Sequence, residues 1–236
     1  MSERPGEPDR NCPLCPRLAA FRDAQRAREP LWHNAPVPSF GGNTARLLIV
    51  GLAPGLKGAN RTGRPFTGDY AGDLLYATLL KFGFARGAYE VRADDGLTLV
   101  DCRITNAVRC VPPENKPEPA EIAHCRTFLA AEIAALAPLR IVVALGAIAH
   151  HATLGAVGER RAPFPFAHGA RHRLASGLVL ADSYHCSRYN TNTGRLTAAM
   201  FESVFAAVRA TLDDAAMGGA ADVPAGAPPR PTPNVN

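Results

Sequence analysis

Four short apolar runs punctuate the chain and read as strands: 46–50 (RLLIV), 98–104 (TLVDCRI), 140–145 (RIVVAL) and 178–182 (LVLAD). Such runs, lacking the polar alternation of a half-exposed strand, suit strands covered on both faces. Between them apolar positions recur at helical spacing. In 69–82 they are Leu74, Leu75, Thr78, Leu79 and Phe82; in 119–136 they are Ile122, Phe128, Leu129, Ile133 and Leu136. Further helices are predicted over 147–154 and 196–212. Strands alternating with helices predict an α/β fold, a central parallel sheet with helices on both faces.

Three of the strands run directly into unusual polar or glycine-rich loops. The first strand leads into GLAPGLKGANRTGRPFTGDYAG (51–72), the second into TNAVRCVPPENKP (105–117) and the fourth into SYHCSRYNTNTGRLT (183–197). In open α/β sheets ligands bind beyond the carboxyl ends of the strands, so three such loops predict a site at that edge.

Composition sets the scale. The 236 residues, 47% of them hydrophobic, supply one core, so a single domain over 11–215 is predicted. It is flanked by a flexible N-terminus (1–10) and a Gly/Ala/Pro-rich, disordered tail (216–236). The net charge of +5 and pI near 9.1 suit an anionic partner. They equally suit a compositional bias, because the lysines are only Lys57, Lys81 and Lys116. No run approaches the roughly 18 apolar residues of a membrane span, and residues 1–11 lack the apolar stretch of a secretion signal. A cytoplasmic monomer is expected.

In that compartment cysteines seldom pair, so Cys12-Pro-Leu-Cys15 points to metal or redox chemistry. Cys110 and Cys125 would complete a four-thiolate site. Spacing alone leaves zinc and [4Fe–4S] both open. Cys102, within a strand, reads as a small core residue.

The motifs GLAPG (51–55), NRTGRPFTGDYAG (60–72), ITNAVRCVPPENKPEP (104–119) and HCSRYNTNTGRLT (185–197) resemble the family 5 uracil-DNA glycosylases. The resemblance runs from Cys12 to about Thr197. It implies a three-layer sandwich around a four-stranded parallel sheet, and a [4Fe–4S] cluster on Cys12, Cys15, Cys110 and Cys125. It implies hydrolysis of the N-glycosidic bond of uracil in DNA, leaving an abasic site. Hypoxanthine, xanthine or 5-hydroxymethyluracil are implied as further substrates. With no lysine in a Schiff-base motif, no strand cleavage is expected.

Bond cleavage leaves positive charge on the sugar and negative charge on the base. The resemblance puts His185 where a neutral imidazole N–H donates to uracil O2. It gives Asn106 the O4 and N3–H edge, which an amide can match with one donor and one acceptor. Phe66 would stack on the flipped base. Gly51 and Gly55 would let the backbone approach the ligand, with Ala53 where many superfamily members carry Asp or Asn. Asp69 is then the candidate to orient water or balance the cationic sugar. Its alternative role is a helix N-cap.

Ser187, Arg188, Asn190, Thr193 and Arg195 are candidate phosphate contacts, and Tyr189 the side chain that fills the gap left by the base. Arg61, Arg64 and Lys57 either widen the basic surface or are merely solvated. His124, His150 and His151 read as structural or surface residues. Two rivals remain: a non-catalytic iron–sulfur protein that binds damaged DNA or senses redox state, and a zinc protein.

Overall fold

The computed structural model describes residues 6–218. In chain order the elements are α1 (Pro16–Arg28), β1 (Phe40–Gly41), β2 (Leu47–Gly51), α2 (Ala59–Thr62), α3 (Tyr70–Lys81), β3 (Ala85–Arg86), β4 (Thr98–Leu99) and β5 (Cys102–Asn106). There follow α4 (Pro119–Ala135), β6 (Ile141–Leu145), α5 (Ala147–Ala156), β7 (Arg171–Arg173), β8 (Val179–Ser183), α6 (Arg188–Asn192) and α7 (Ala198–Gly218).

The main sheet has six strands in the order β1-β5-β2-β6-β8-β7, which corrects the expected four. The four long apolar strands do form the parallel centre. The extra two are short antiparallel edges, β1 on β5 and β7 on β8. Neither has a long apolar run to announce it: β1 is Phe-Gly and β7 is Arg-His-Arg. The expected 98–104 strand is also two elements. Asp101, at φ +54, breaks it, and its carboxylate caps the start of β2 by accepting from Arg46 N at 2.9 Å.

Every residue of β2, β5 and β6 is buried, because both sheet faces are covered. On one face Leu75 and Leu79 of α3 and Phe201 and Phe205 of α7 pack on Leu47, Ile49 and Ile104. On the other, Leu129 of α4 and Ala149 and Ala152 of α5 pack on Leu48, Val50 and Val142. Each such side chain removed from water contributes about 1.5–3 kcal/mol. Helix α4 starts where its sequence says it should. Pro119 sits in the first turn, and Glu118 and Glu121 form a reciprocal capping box, which satisfies amides the helix cannot satisfy itself.

Two buried polar networks tie layers together. His150 of α5 is held to Asp182 of β8 at 2.7 Å, with His172 of β7 on the other carboxylate oxygen at 3.3 Å. Arg103 and Arg109 share Glu132 of α4 and Glu7. Glu7 thus pins a segment expected to be loose. Helix α7 takes in residues 216–218 of the expected tail, and 219–236 lie outside the described residues.

Candidate active site

The parallel strands run β5-β2-β6-β8, so the chain steps to opposite sides of β2 and leaves a crevice between the ends of β2 and β6. A pocket of about 680 Å³ opens there, within the range of small-molecule sites. Leu52 and Ala53 follow β2, Gly146 and Ala147 follow β6, and His185 follows β8; all line it, with Asp69, Tyr70, Ser187 and Arg188 on the remaining walls.

Asp69 holds the N-cap position of α3, yet its side chain makes no capping hydrogen bond. Instead Oδ1 is buried without a partner. Oδ2 nests where Gly55 and Gly58 lack side chains: a Cβ on Gly55 would sit 2.8 Å from it, and one on Gly58 would collide with it. Burial raises the Asp69 pKa above the ordinary carboxylate value, the Gly72 and Ala71 amides oppose the shift, and Asp73 adds to it. A carboxylate kept short of hydrogen bonds in a pocket is reserved for something the fold does not supply.

His185 lines the pocket and is partly buried, in surroundings that desolvate its ring. That desolvation lowers its pKa to about 4, so the imidazole is neutral near pH 7. Its ring stacks on Phe66 at 5.9 Å between centroids. Phe66 holds an unusual φ of +55, a costly conformation for a bulky residue and one that concentrates at functional sites. Asn106 ends β5 beside Gly51. A Cβ on Gly51 would lie 2.6 Å from Phe66 Cζ and would collide with Asn106 Oδ1, so that glycine is what lets the three meet. Gly51, Phe66 and Asn106 lie behind the pocket wall rather than on it, and both side chains are buried.

The last loop divides its labour. Ser187 caps α6, and Asn190 donates its side-chain amide to the His185 carbonyl at 2.8 Å. Asn190 therefore braces the histidine from within the protein. Arg188 lies over the Tyr70 ring at 5.2 Å and Arg195 over Tyr184 at 4.6 Å. Tyr189 is 72% exposed. Thr193 bonds back to the Tyr189 carbonyl. Arg64 departs from the basic-surface expectation: it is buried in a bidentate pair with Asp95, 2.7 Å on both sides, against Phe40, Tyr76 and Tyr89.

Sequence reasoning passed over Tyr70, Asn115 and the Gly146–Ile148 turn, all of which line the pocket. The turn after β6 is too short to stand out as a motif. Its one signal is Gly146 at the strand–helix junction, at φ +96.

Cys12, Cys15, Cys110 and Cys125 line a second, small cavity with Leu18, Arg109, His124 and Phe128. All are free thiols. Burial and their mutual repulsion raise Cys15 to about 11 and Cys110 to about 12, and raise Cys125 as well. Four converging thiols that suppress one another's ionisation fit a cationic metal group, which stabilises thiolates. Among the described residues the ligand-type atoms of His150, His172 and Asp182 all lie within 4.8 Å of one another, and the Nδ1–Oδ1 contact of 2.7 Å is a hydrogen-bond distance. The four thiols are more widely set. Cys102 and Cys186 belong to the hydrophobic core on the α3/α7 face.

The sequence pattern of the uracil DNA glycosylase superfamily matches residues 38–209. The type-5 uracil-DNA glycosylase of Thermus thermophilus is 47% identical over 199 residues, covering 82% of this chain and 90% of its own. That of Mycobacterium tuberculosis is 43% identical over 203 residues, 82% and 75%. That of Pyrobaculum aerophilum is 42% identical over 191 residues, 79% and 83%.

Proposed function

The chain belongs to the type-5 uracil-DNA glycosylases of the uracil DNA glycosylase superfamily, and from that premise we propose how this site excises uracil from DNA. The base swings out of the helix into the pocket at the β2/β6 crevice, its N-glycosidic bond is hydrolysed, and an abasic site remains. The observation that carries the reading is the pairing of a neutral His185 with a desolvated, unpartnered Asp69 on one pocket wall system.

The bond breaks toward a cationic sugar and an anionic base, so catalysis needs opposite charges stabilised a few ångströms apart. His185, neutral, donates an N–H to the oxygen on which the base's negative charge develops. A charged imidazole would bind the departing anion too, but desolvation forbids it here. Asp69 in its ionised form balances the sugar and orients the attacking water. With Ala53 where a polar side chain would otherwise stand, this work falls to Asp69. Asn106 reads the pyrimidine edge and Phe66, which packs behind His185, provides the stacking ring. Arg188, Tyr189, Ser187 and Arg195 face the DNA.

Ala53 leaves room that a larger residue would fill, and on this ground the site also takes hypoxanthine and xanthine. Lys57 lines the rim on the exposed surface, outside the desolvated kind of setting that activates an amine nucleophile, so no strand cleavage accompanies base release. The four thiols would hold a [4Fe–4S] cluster, and their places on the N-terminal segment, the loop after β5 and α4 mean that it would cross-link those three segments. The protein's own part is to bring those sulfurs to one cavity that Leu18 and Phe128 also line, with Cys110 and Cys125 buried and Cys12 and Cys15 partly so.

The deciding assay is release of free base from single-lesion duplexes carrying uracil, hypoxanthine or xanthine, with borohydride trapping alongside. Uracil release lost in His185→Ala and Asp69→Ala, and no trapped adduct, is the expected outcome. Uracil release that survives both substitutions overturns the assignment of roles. Release of uracil alone overturns the breadth, and a trapped adduct overturns the monofunctional reading.

A further inference from the structure

Two buried arginines beside the four thiols have hydrogen-bonding capacity that none of the described residues uses. Arg22, on α1, is 4% exposed, and Arg109, next to Cys110, is 1% exposed. The Nε of each is buried and has no hydrogen-bond partner. Their remaining contacts show why they stay in place. Arg22 donates Nη1 to the carbonyl of Cys12 at 3.0 Å, and Asp23, at 3.6 Å and largely exposed, is too distant to bond its Nε. Arg109 is fixed by Ser39 at 2.7 Å and by Glu132 and Glu7, and it is one of the residues that line the thiol cavity.

An orphaned N–H in a protein interior costs about 1–3 kcal/mol, so two of them, on Arg109 at the cavity and on Arg22 held to the Cys12 carbonyl, call for an acceptor among the thiols. The charge argument runs the same way. Glu7 and Glu132 balance Arg103 and Arg109, whereas Arg22 has no buried carboxylate of its own among the described residues. Four thiolates around a cluster make a buried anion. Positive guanidinium groups at its edge supply the countercharge that burial would otherwise make expensive.

We propose that Arg22 and Arg109 form an electropositive cradle for the cluster, donating Nε–H bonds to its sulfur ligand shell and holding its reduction potential upward. The inference rests on the reading that the four cysteines hold a cluster. Hydrogen bonds to sulfur and nearby positive charge both favour the more negative, reduced state, and so raise the potential. Arg109 also ties this cradle to Glu132 and Glu7, so the N-terminal segment that carries Cys12 and Cys15 is held by the same charges.

Arg22 carries the test, because replacing Arg109 would also strand Glu132. The wild type, Arg22→Gln and Arg22→Lys are reconstituted anaerobically as full chains. Iron and sulfide per chain and the midpoint potential by film voltammetry are then measured, with circular dichroism to check the fold. The expected result is a fully loaded Arg22→Gln with its potential shifted to more negative values and Arg22→Lys between it and the wild type. Loss of iron from Arg22→Gln that Arg22→Lys restores supports the cradle equally. Equal potentials in all three loaded proteins overturn it. So does iron loss that Arg22→Lys fails to restore, which would mark a packing role. A wild type that binds zinc or no iron at all fails the underlying cluster reading instead.

Discussion

Asp69→Asn separates chemistry from architecture at the position where the two compete. The substitution keeps the shape of the side chain and removes its charge. With the sugar cation about 4 Å away and an effective dielectric near 20, that charge is worth about 4 kcal/mol. The asparagine dipole retains part of this. Loss of one preorganised electrostatic group costs on the order of 10²–10³ in rate, and a fall of that size is expected in single-turnover uracil release at pH 8. The ratio must depend on pH. Burial raises the wild-type Asp69 pKa, so its ionised, active form is gained only as pH rises through that raised value. Below it the wild type loses rate and the asparagine variant does not, so the gap narrows toward acid. Stability moves the other way. Burial of a carboxylate whose Oδ1 has no partner costs the fold more than the Gly72 and Ala71 amides return, as the raised pKa shows, so Asp69→Asn and Asp69→Ala are expected to melt at or above the wild-type temperature at pH 8, in keeping with sites that trade stability for activity. A loss under tenfold, a ratio constant with pH, or a fall of about 1 kcal/mol in Asp69→Ala, the usual cost of a lost N-cap, would refute the reasoning.

The wild-type rate is expected to show no histidine limb between pH 6 and 7, because His185 titrates near 4; a limb there that vanishes in His185→Gln would contradict a neutral donor. Gly51→Ala should push Phe66 and Asn106 apart, costing roughly 1–3 kcal/mol of stability by overpacking and lowering uracil release beyond what the melting shift explains; an active, undisturbed variant would show the close approach to be dispensable. Arg64→Met leaves Asp95 sealed without its partner and is expected to cost roughly 3 kcal/mol, the low end for a broken buried pair because this one lies near the surface. Asp95 is held below its ordinary pKa by Arg64, so that stability is present above the unfolded carboxylate's pKa and is lost as pH falls toward the lowered one; denaturant titrations at pH 7 and pH 3 measure it. The salt dependence of DNA binding should be unchanged in Arg64→Met and shallower by about 0.9 in slope in Arg188→Ala, and the reverse pattern would restore Arg64 to the surface.

Much of this molecule was legible before folding. The four central strands announce themselves by uninterrupted apolar runs, since a strand covered on both faces has no polar side to show. The capping box of α4 and the family motifs around Asp69, Asn106 and His185 are likewise local patterns. The edge strands were invisible because their pairing is made by backbone atoms that carry no side-chain signature. The same limit applies to Arg64, whose sequence neighbours suggest a DNA contact while Asp95, 31 residues on, draws it inside.

Tertiary structure alone decided which groups are left unsatisfied. Asp69 reads equally well as a cap or as a catalytic carboxylate until the fold turns its oxygens toward Gly55, Gly58 and the pocket. Arg22 and Arg109 are two arginines among many until burial strips water from their Nε atoms beside the four thiols. Local sequence determines what a segment can form, because propensity and periodicity are local. Desolvation and orphaned hydrogen bonds depend on every element that closes around a group, and so exist only once the sheet, its helices and the N-terminal segment have come together.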